Sequence, residues 1–490
     1  MSLSHLAPYV RVSYNKIKKA VKQEGIDNNI EYTDEIIENI TMSRLKNEIK
    51  DAVQTFNYQL STLNSTNGQS PFLSLAMYLN EKPEYKKETA MLIEEFLKQR
   101  IEGMKNEYGV KATQTFPKLL FFLDEDNMYP ESEYYYLKQL AVKATARRMN
   151  PDYISVKRMK EVYGYAFPCM GCRSFLSPWY NEKGDVQFYG RGNLGVTTLS
   201  LPHIALSSKG DHDLFWKIFD QRLELVFESL MLRYEKLKGV KAKVAPILWC
   251  HGVFARLDPE DEIISQVENG KFSLSLGYSG LYETVKYMTN ESHTTDKGFD
   301  FAIKVMKHLK EATEKWKEET GLGFAVYGTP QESTTEWFSK KLKAQFGEIK
   351  DITDKGWITN SYHIDVREQI DAFSKLKIES KLQEQSTGGN VSYVEVYNME
   401  KNLEALEQLI DFMYENNVYA EVNSESDVCG VCKYTGVMEN DAETLDWVCP
   451  QCGNRNQEKL SVVRRTCGYL GETNWVTGRK LDILNRTKHL

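Results

Sequence analysis

The chain alternates long amphipathic stretches with short apolar runs. Tyr14, Ile17, Ala20 and Val21 share one helical face, as do Ile36, Ile37 and Ile40, so residues 10–60 read as helix. The polar loop from Asn64 to Pro71 ends this region, and Phe72-Leu73-Ser74-Leu75 reads as strand. Charged helix returns over 82–106, followed by a strand at Lys118–Phe122 and a polar, aromatic helix around 133–148. An apolar, turn-rich stretch spans Tyr165–Tyr180. Further helices are expected near 212–238 and 297–320, with short strands at 245–249 and 323–327. This alternation predicts an α/β fold with largely parallel strands. No fixed-period repeat or low-complexity tract is visible. Polar residues 421–427 mark a boundary, so that the last 70 residues read as a separate small module.

With 490 residues, 41% hydrophobic and 12% aromatic, the chain can bury a large core. That size suits two or three domains, or one large barrel with appendages. A net charge of −7 with mixed signs argues against a general nucleic-acid binder. No window approaches about 18 apolar residues, the length a membrane helix needs. The first residues lack the features of an export signal. Eight cysteines in such a chain point to a reducing, cytoplasmic setting, where metal ligation or thiol chemistry is expected over disulfides.

Cys429-x2-Cys432 and Cys449-x2-Cys452 are separated by 16 residues. Each pair is a tight turn aiming two thiolates at one point, and two such turns complete an all-sulfur tetrahedron suited to structural Zn2+. A redox dithiol pair or an iron–sulfur cluster fits less well, because nothing nearby resembles a redox domain. A metal-pinned fold can anchor the Arg464–Leu490 tail without a large core of its own.

Twelve residues past Cys452 begins Arg464-Arg465-Thr466-Cys467-Gly468-Tyr469-Leu470-Gly471. This segment resembles the glycyl radical motif of the anaerobic (class III) ribonucleotide reductases, and the ending Gly478-Arg479-Lys480…Arg486…Lys488-His489 is similar to theirs. Hydrogen removal from a glycine Cα leaves a planar radical shared by the neighbouring amide nitrogen and carbonyl, which a side chain would hinder. Pro168-Cys169-Met170-Gly171-Cys172-Arg173-Ser174-Phe175-Leu176 resembles the family's loop carrying a transient thiyl radical, here on Cys172. A thiol suits that task because its S–H bond is close in strength to the ribose C3′–H bond. Met170 matches a family methionine associated with formate as reductant, and the resemblance implies that Arg173 and Ser174 flank the substrate. Cys169 is read as family variation, and Cys250 as a packed thiol.

Further segments resemble family blocks in the same order. Asn193, in Gly190-Arg191-Gly192-Asn193-Leu194-Gly195, would hydrogen-bond ribose or formate. Tyr327 would line the active site, and Thr329, Pro330, Gln331, Glu332 and Ser333 would form a loop presenting N–H groups to nucleotide phosphates. Asn67, Gly68 and Gln69 resemble another substrate block, and Thr387-Gly388-Gly389-Asn390 resembles a further family block.

The resemblance covers nearly the whole chain and is to the short, phage-type members. It implies a ten-stranded α/β barrel over residues 1–422, its first strands lacking, a zinc module at 423–460, and a radical loop and tail at 461–490. It also implies reduction of ribonucleoside triphosphates with formate as reductant, radical generation by a separate radical-SAM activase carrying a [4Fe–4S] cluster and using S-adenosylmethionine, homodimerisation, and dNTP or ATP effectors. Because the match starts where the family's first strands would end, an upstream polypeptide is expected to complete the active site. The competing readings are another glycyl radical enzyme, a non-catalytic fragment, and a zinc-ribbon nucleic-acid binder. The last is weakened because the tail's six Lys/Arg lack interleaved aromatics.

Overall fold

The computed structural model describes residues 1–63, 72–176, 178–268, 270–441, 443–466, 468–472 and 475–489. Eight strands form two main sheets: β1 (Ser74–Met77), β2 (Lys118–Leu123), β3 (Asp152–Ser155), β4 (Gly192–Ser200), β5 (Phe272–Ser279), β6 (Gly323–Gly328), β7 (Ser392–Glu395) and β8 (Tyr419–Asn423). One sheet runs β1-β2-β3-β8-β7 and the other β6-β5-β4. All pairs are parallel except β8 with β3. The parallel expectation therefore holds with one exception.

The sequence of β2 explains its position. Lys-Leu-Leu-Phe-Phe-Leu is buried at every residue, as a parallel strand covered on both faces must be. Leu119, Phe121 and Leu123 join the outer core with Phe96, Leu137 and Leu409. Leu120 and Phe122 point the other way, toward Ile154, Phe167, Phe175 and Tyr419. The two-residue period thus splits one apolar run between two cores.

The helical region at the start of the chain is two helices, α1 (Ala7–Asp27) and α2 (Asp34–Thr62). Thr33 caps the second by accepting from the Ile36 N–H at 3.2 Å, and Ile37, Thr41, Leu45, Ile49 and Val53 bury one stripe. Helices α3 (Lys86–Glu102), α4 (Tyr135–Arg148), α5 (His212–Glu235), α6 (Asp296–Thr320) and α7 (Ser333–Phe346) follow. One expected strand is absent: Pro246–Trp249 is a short helix. Proline cannot donate to a strand ladder but fits the first turn of a helix, and Ile247 and Leu248 stay exposed.

The two sheets are stitched by a glycine pair. Gly388 N–H donates to the Val326 carbonyl at 2.6 Å, and Gly328 N–H donates to that of Gly389 at 2.9 Å. Gly389 has φ +138°, and a Cβ there would lie 2.2 Å from the Arg173 carbonyl. Only glycine lets these backbones meet.

Beyond β8, β9 (Asp427–Cys429) pairs with β10 (Leu460–Ser461), and β11 (Val463–Thr466) with β12 (Tyr469–Glu472). A helix, Thr477–Leu484, follows. The tail then returns to the barrel: Thr487 N–H donates to the Val366 carbonyl and His489 N–H to that of Glu395, each at 2.8 Å. Arg486 pairs with Glu395 at 2.9 Å. Among the described residues no helix is long and apolar enough to cross a membrane.

His293 is fully buried and neither ring nitrogen has a hydrogen-bond partner among the described residues. Burial lowers its pKa to about 4. The unfolded chain then binds the extra proton first, so stability falls as pH drops from about 6.5 toward 4. Replacing His293 with Phe is expected to remove about 3 kcal/mol of that acid sensitivity. Urea titrations at several pH values measure it, and parallel curves for both proteins would contradict it.

Candidate active site

The segment Phe167–Leu176 is a finger inserted against the inner face of the larger sheet. Met170 N–H donates to the Ser174 carbonyl at 2.7 Å and Ser174 N–H returns to that of Met170 at 3.1 Å. Gly171, at φ +59°, makes the turn, and Cys172 sits beside it. Phe167, Cys169 and Phe175 bury the finger's stem against Leu120, Phe122, Ile154 and Tyr419. Met170 is 44% exposed, and Cys172 is half-buried.

The second loop comes from the other end of the chain. Strands β11 and β12 pair from Val463↔Glu472 to Thr466↔Tyr469, and Gly468 lies at the turn between them. Gly468 has φ +97° and is buried, as tight hairpin tips require positive φ. A Cβ on Gly468 would stand 2.8 Å from the Cys172 carbonyl oxygen and 3.6 Å from the Cys172 Cβ. The two loops are therefore in backbone contact.

Sequence reasoning missed the buried charges that hold this contact. Lys118, at the start of β2, donates to the Cys172 carbonyl at 2.5 Å and also to that of Gly468. It pairs with Asp152 of β3 at 3.1 Å. Arg465 donates to Asp152 at 2.5 Å and to Glu421 of β8 at 2.8 Å. Tyr419 O–H donates to Asp152 at 2.5 Å. Burial opposes the charge on Asp152, but Arg465 and Lys118 outweigh it and hold that carboxyl below its ordinary value. Burial pushes Glu421 up to about 7 against the pull of Arg465, with Asp152 adding to the rise. The available signal was a charged residue opening an apolar strand, and an arginine directly before the glycine motif.

Removing Arg465 is expected to leave buried Glu421 without its ion pair and Asp152 with Lys118 alone. Arg465→Met should destabilise the fold by about 3–5 kcal/mol, as for other broken buried pairs. Urea denaturation measures this, and a change within experimental error would contradict it.

The remaining expected substrate residues lie close by, with varied fates. Arg173 is fully buried and its guanidinium faces inward, donating to Asn360 Oδ1 at 3.0 Å and lying 3.4 Å from His363 Nε2. It braces the finger against the loop that begins at Thr329, whose carbonyl oxygen lies 3.5 Å from the guanidinium. The Ser174 hydroxyl is buried with no hydrogen-bond partner among the described residues. Asn193 donates to Ser275 Oγ and accepts from the Gly195 N–H, both at 2.7 Å, at an irregularity in β4. Tyr327 lies on β6, 6% exposed, and bridges to Gly389. Thr329 Oγ1 is 3.0 Å from Thr198 Oγ1. Gln331 is buried, its side-chain oxygen accepting from Ser279. Pro330 is half-buried, and Glu332 and Ser333 are exposed where the loop opens into the N-terminus of α7. Asn67, Gly68 and Gln69 fall outside the described residues.

Cys429, Cys432, Cys449 and Cys452 converge, with all four sulfurs within 4.8 Å of one another. The separations Cys429–Cys452 and Cys432–Cys449 are 3.8 and 3.6 Å. Zinc–sulfur bonds of about 2.3 Å place tetrahedral sulfurs about 3.8 Å apart, so the residues fit that ion. Asn454 Nδ2 stands 3.7 Å from Cys429 Sγ, the kind of outer contact that orients a ligand. Arg464 makes a two-pronged pair with Asp427, at 2.5 and 2.9 Å, tying the cysteine module to β11.

This architecture, two α/β half-layers around a cysteine finger and a glycine hairpin, defines the class. Solved structures agree: the anaerobic ribonucleotide reductase from Thermotoga maritima with dATP bound in its specificity site superposes with a TM-score of 0.61 at 17% identity, over 96% of this chain and 76% of that one. A family model described as anaerobic ribonucleoside-triphosphate reductase matches residues 2–489. The enzyme of that name from Escherichia coli K12 is 37% identical over 99% of this chain and 67% of its own length. That of bacteriophage T4 is 39% identical over 99% of this chain and 78% of its own. The chain belongs to the anaerobic ribonucleoside-triphosphate reductase family, which are oxidoreductases.

Proposed function

We propose that the chain reduces ribonucleoside triphosphates by radical transfer between Gly468 and Cys172, with formate as reductant. The contact between these two residues carries the reading, because a Cβ on Gly468 would be 2.8 Å from the Cys172 carbonyl. A radical-SAM activase takes a hydrogen atom from the Gly468 Cα. Gly468 then takes the Cys172 thiol hydrogen, and the thiyl takes the C3′ hydrogen of the bound nucleotide. The 2′-hydroxyl leaves as water once protonated. Formate supplies two electrons and becomes carbon dioxide, and Cys172 returns its hydrogen to C3′. The fold contributes position and exclusion of water.

Residues 329–332 lead into the N-terminus of α7, which Ser333 opens, and this supports their assignment to the triphosphate. Asn193, Met170, Tyr327 and Ser174 are assigned to the ribose and formate side. A structural zinc on the four cysteines supplies rigidity and no reactivity. The proposed division is a barrel at 1–422, a zinc module at 423–460, and a radical loop and tail at 461–490. Homodimerisation and dNTP effectors are proposed by likeness to the family, one of whose members is named as binding dATP in a specificity site. We also propose that a second polypeptide adds a strand to β4. That strand is nine residues long, half-buried over Asn193–Thr198, and pairs only with β5 among the described residues. Long unpaired edges are normally covered. Turnover unchanged by adding that polypeptide would remove this part.

Cys172→Ser is the direct test of function. The activated variant is expected to show a glycyl EPR doublet while dNTP formation falls to background. Retained turnover would overturn the thiyl assignment.

A further inference from the structure

We infer that Lys118 is a positioning residue for radical transfer, its ammonium pinning the Gly468 and Cys172 carbonyls together and drawing spin density onto the Gly468 carbonyl. The inference rests on Gly468 as the radical site. Lys118 is 3% exposed. An ammonium has three N–H donors, and here they face the Cys172 carbonyl at 2.5 Å, the Gly468 carbonyl, and Asp152 at 3.1 Å. The partners lie 54 and 350 residues away in sequence for the two carbonyls. One side chain thus ties both reacting loops to β2.

The two carbonyls respond differently. Once Gly468 loses its Cα hydrogen, the unpaired electron spreads to the amide nitrogen and the carbonyl, whose oxygen gains negative character. A cation at hydrogen-bond distance in a dry site favours that distribution. The Cys172 carbonyl is not conjugated with Sγ, so there the ammonium fixes position alone. A buried lysine serving only Asp152 would be redundant, since Arg465 already bonds that carboxylate at 2.5 Å. Tyr419 limits the ammonium's freedom further, its ring centroid lying 5.2 Å from Nζ.

The test uses the full chain activated anaerobically by its activase. Protein carrying [1-13C]glycine reports carbonyl spin density through the 13C splitting of the glycyl doublet. In Lys118→Met the splitting is expected to fall, and kcat to drop about ten- to a hundredfold with KM unchanged. Lys118→Arg, which keeps the cation, should restore the splitting toward the native value. Zinc content and circular dichroism check that the variants fold. If Lys118→Met does not fold, native protein labelled with [ζ-15N]lysine gives the same answer: an electron–nuclear double-resonance coupling from lysine nitrogen supports the inference, and its absence overturns it. A doublet in the native protein with identical 13C splitting in Lys118→Met overturns the role of Lys118 alone, whatever the turnover. No doublet in the native protein overturns the radical reading of Gly468 and this inference with it.

Discussion

Gly468→Ala is expected to abolish both the EPR doublet and nucleotide reduction while leaving the barrel folded. Two independent effects act at this position. The backbone sits at φ +97°, where a side chain is strained, and the added Cβ meets the Cys172 carbonyl at 2.8 Å. Neither atom in that clash is a flexible side-chain end, so the hairpin tip or the finger must shift. The strain is about 1–3 kcal/mol, too little to unfold a chain with this much buried apolar surface. The chemistry suffers more, since alanine hinders the planar radical and moves the donor from Cys172. Anaerobic activation followed by EPR and a dNTP assay measures the outcome. Native-level turnover would show that the glycine is only a turn.

Cys449→Ser should have the second large effect, confined at first to the C-terminal module. Cys449 is buried within a small cluster with Met438, Trp447, Leu460 and Val462, too few residues to fold without help. Structural zinc in small peptides contributes about 10–16 kcal/mol of apparent binding energy. Losing one thiolate is therefore expected to release zinc and melt residues 427–461, while the barrel keeps its circular dichroism. The consequence for function follows from Arg464. That residue joins Asp427 of the module to the strand leading into Gly468, so the hairpin loses its mount. Metal analysis, limited proteolysis and the EPR doublet together test this. A variant with full zinc and a full doublet would refute the mounting role.

Much of the site was legible locally. The two Cys-x2-Cys turns specify their own convergence, because each fixes a pair of thiolates within four residues. Gly468 and Cys172 were legible because each lies in a contiguous segment that resembles a family motif, Arg464–Gly471 and Pro168–Leu176. The strand β2 announced itself through the apolar run Leu119–Leu123. By contrast β3 and β7 have only four residues each, too short for a periodic signal. Residues 245–249 misled because their apolar run outweighed Pro246, whose ring decides for helix.

The charged cluster was not legible. Lys118, Asp152, Glu421 and Arg465 come from four separate elements. They meet because the register sets Leu120 beside Asp152 and Tyr153 beside Ala420, bringing the polar starts of β2 and β3 near Glu421 in the middle of β8. Arg173 shows the same limit: its buried partners Asn360 and His363 lie 187 and 190 residues further along the chain.

The sequence by itself determined the chemistry that depends on neighbours along the chain: the four-cysteine site, the glycine tip and the thiol finger. The cysteine spacing and the two motifs that resemble the family's each span a few contiguous residues, so they can be read there. Only the tertiary structure decided that the glycine tip meets the finger, and that a buried lysine holds both. That contact depends on strand register and on a tail that folds back across the barrel, which no local pattern encodes.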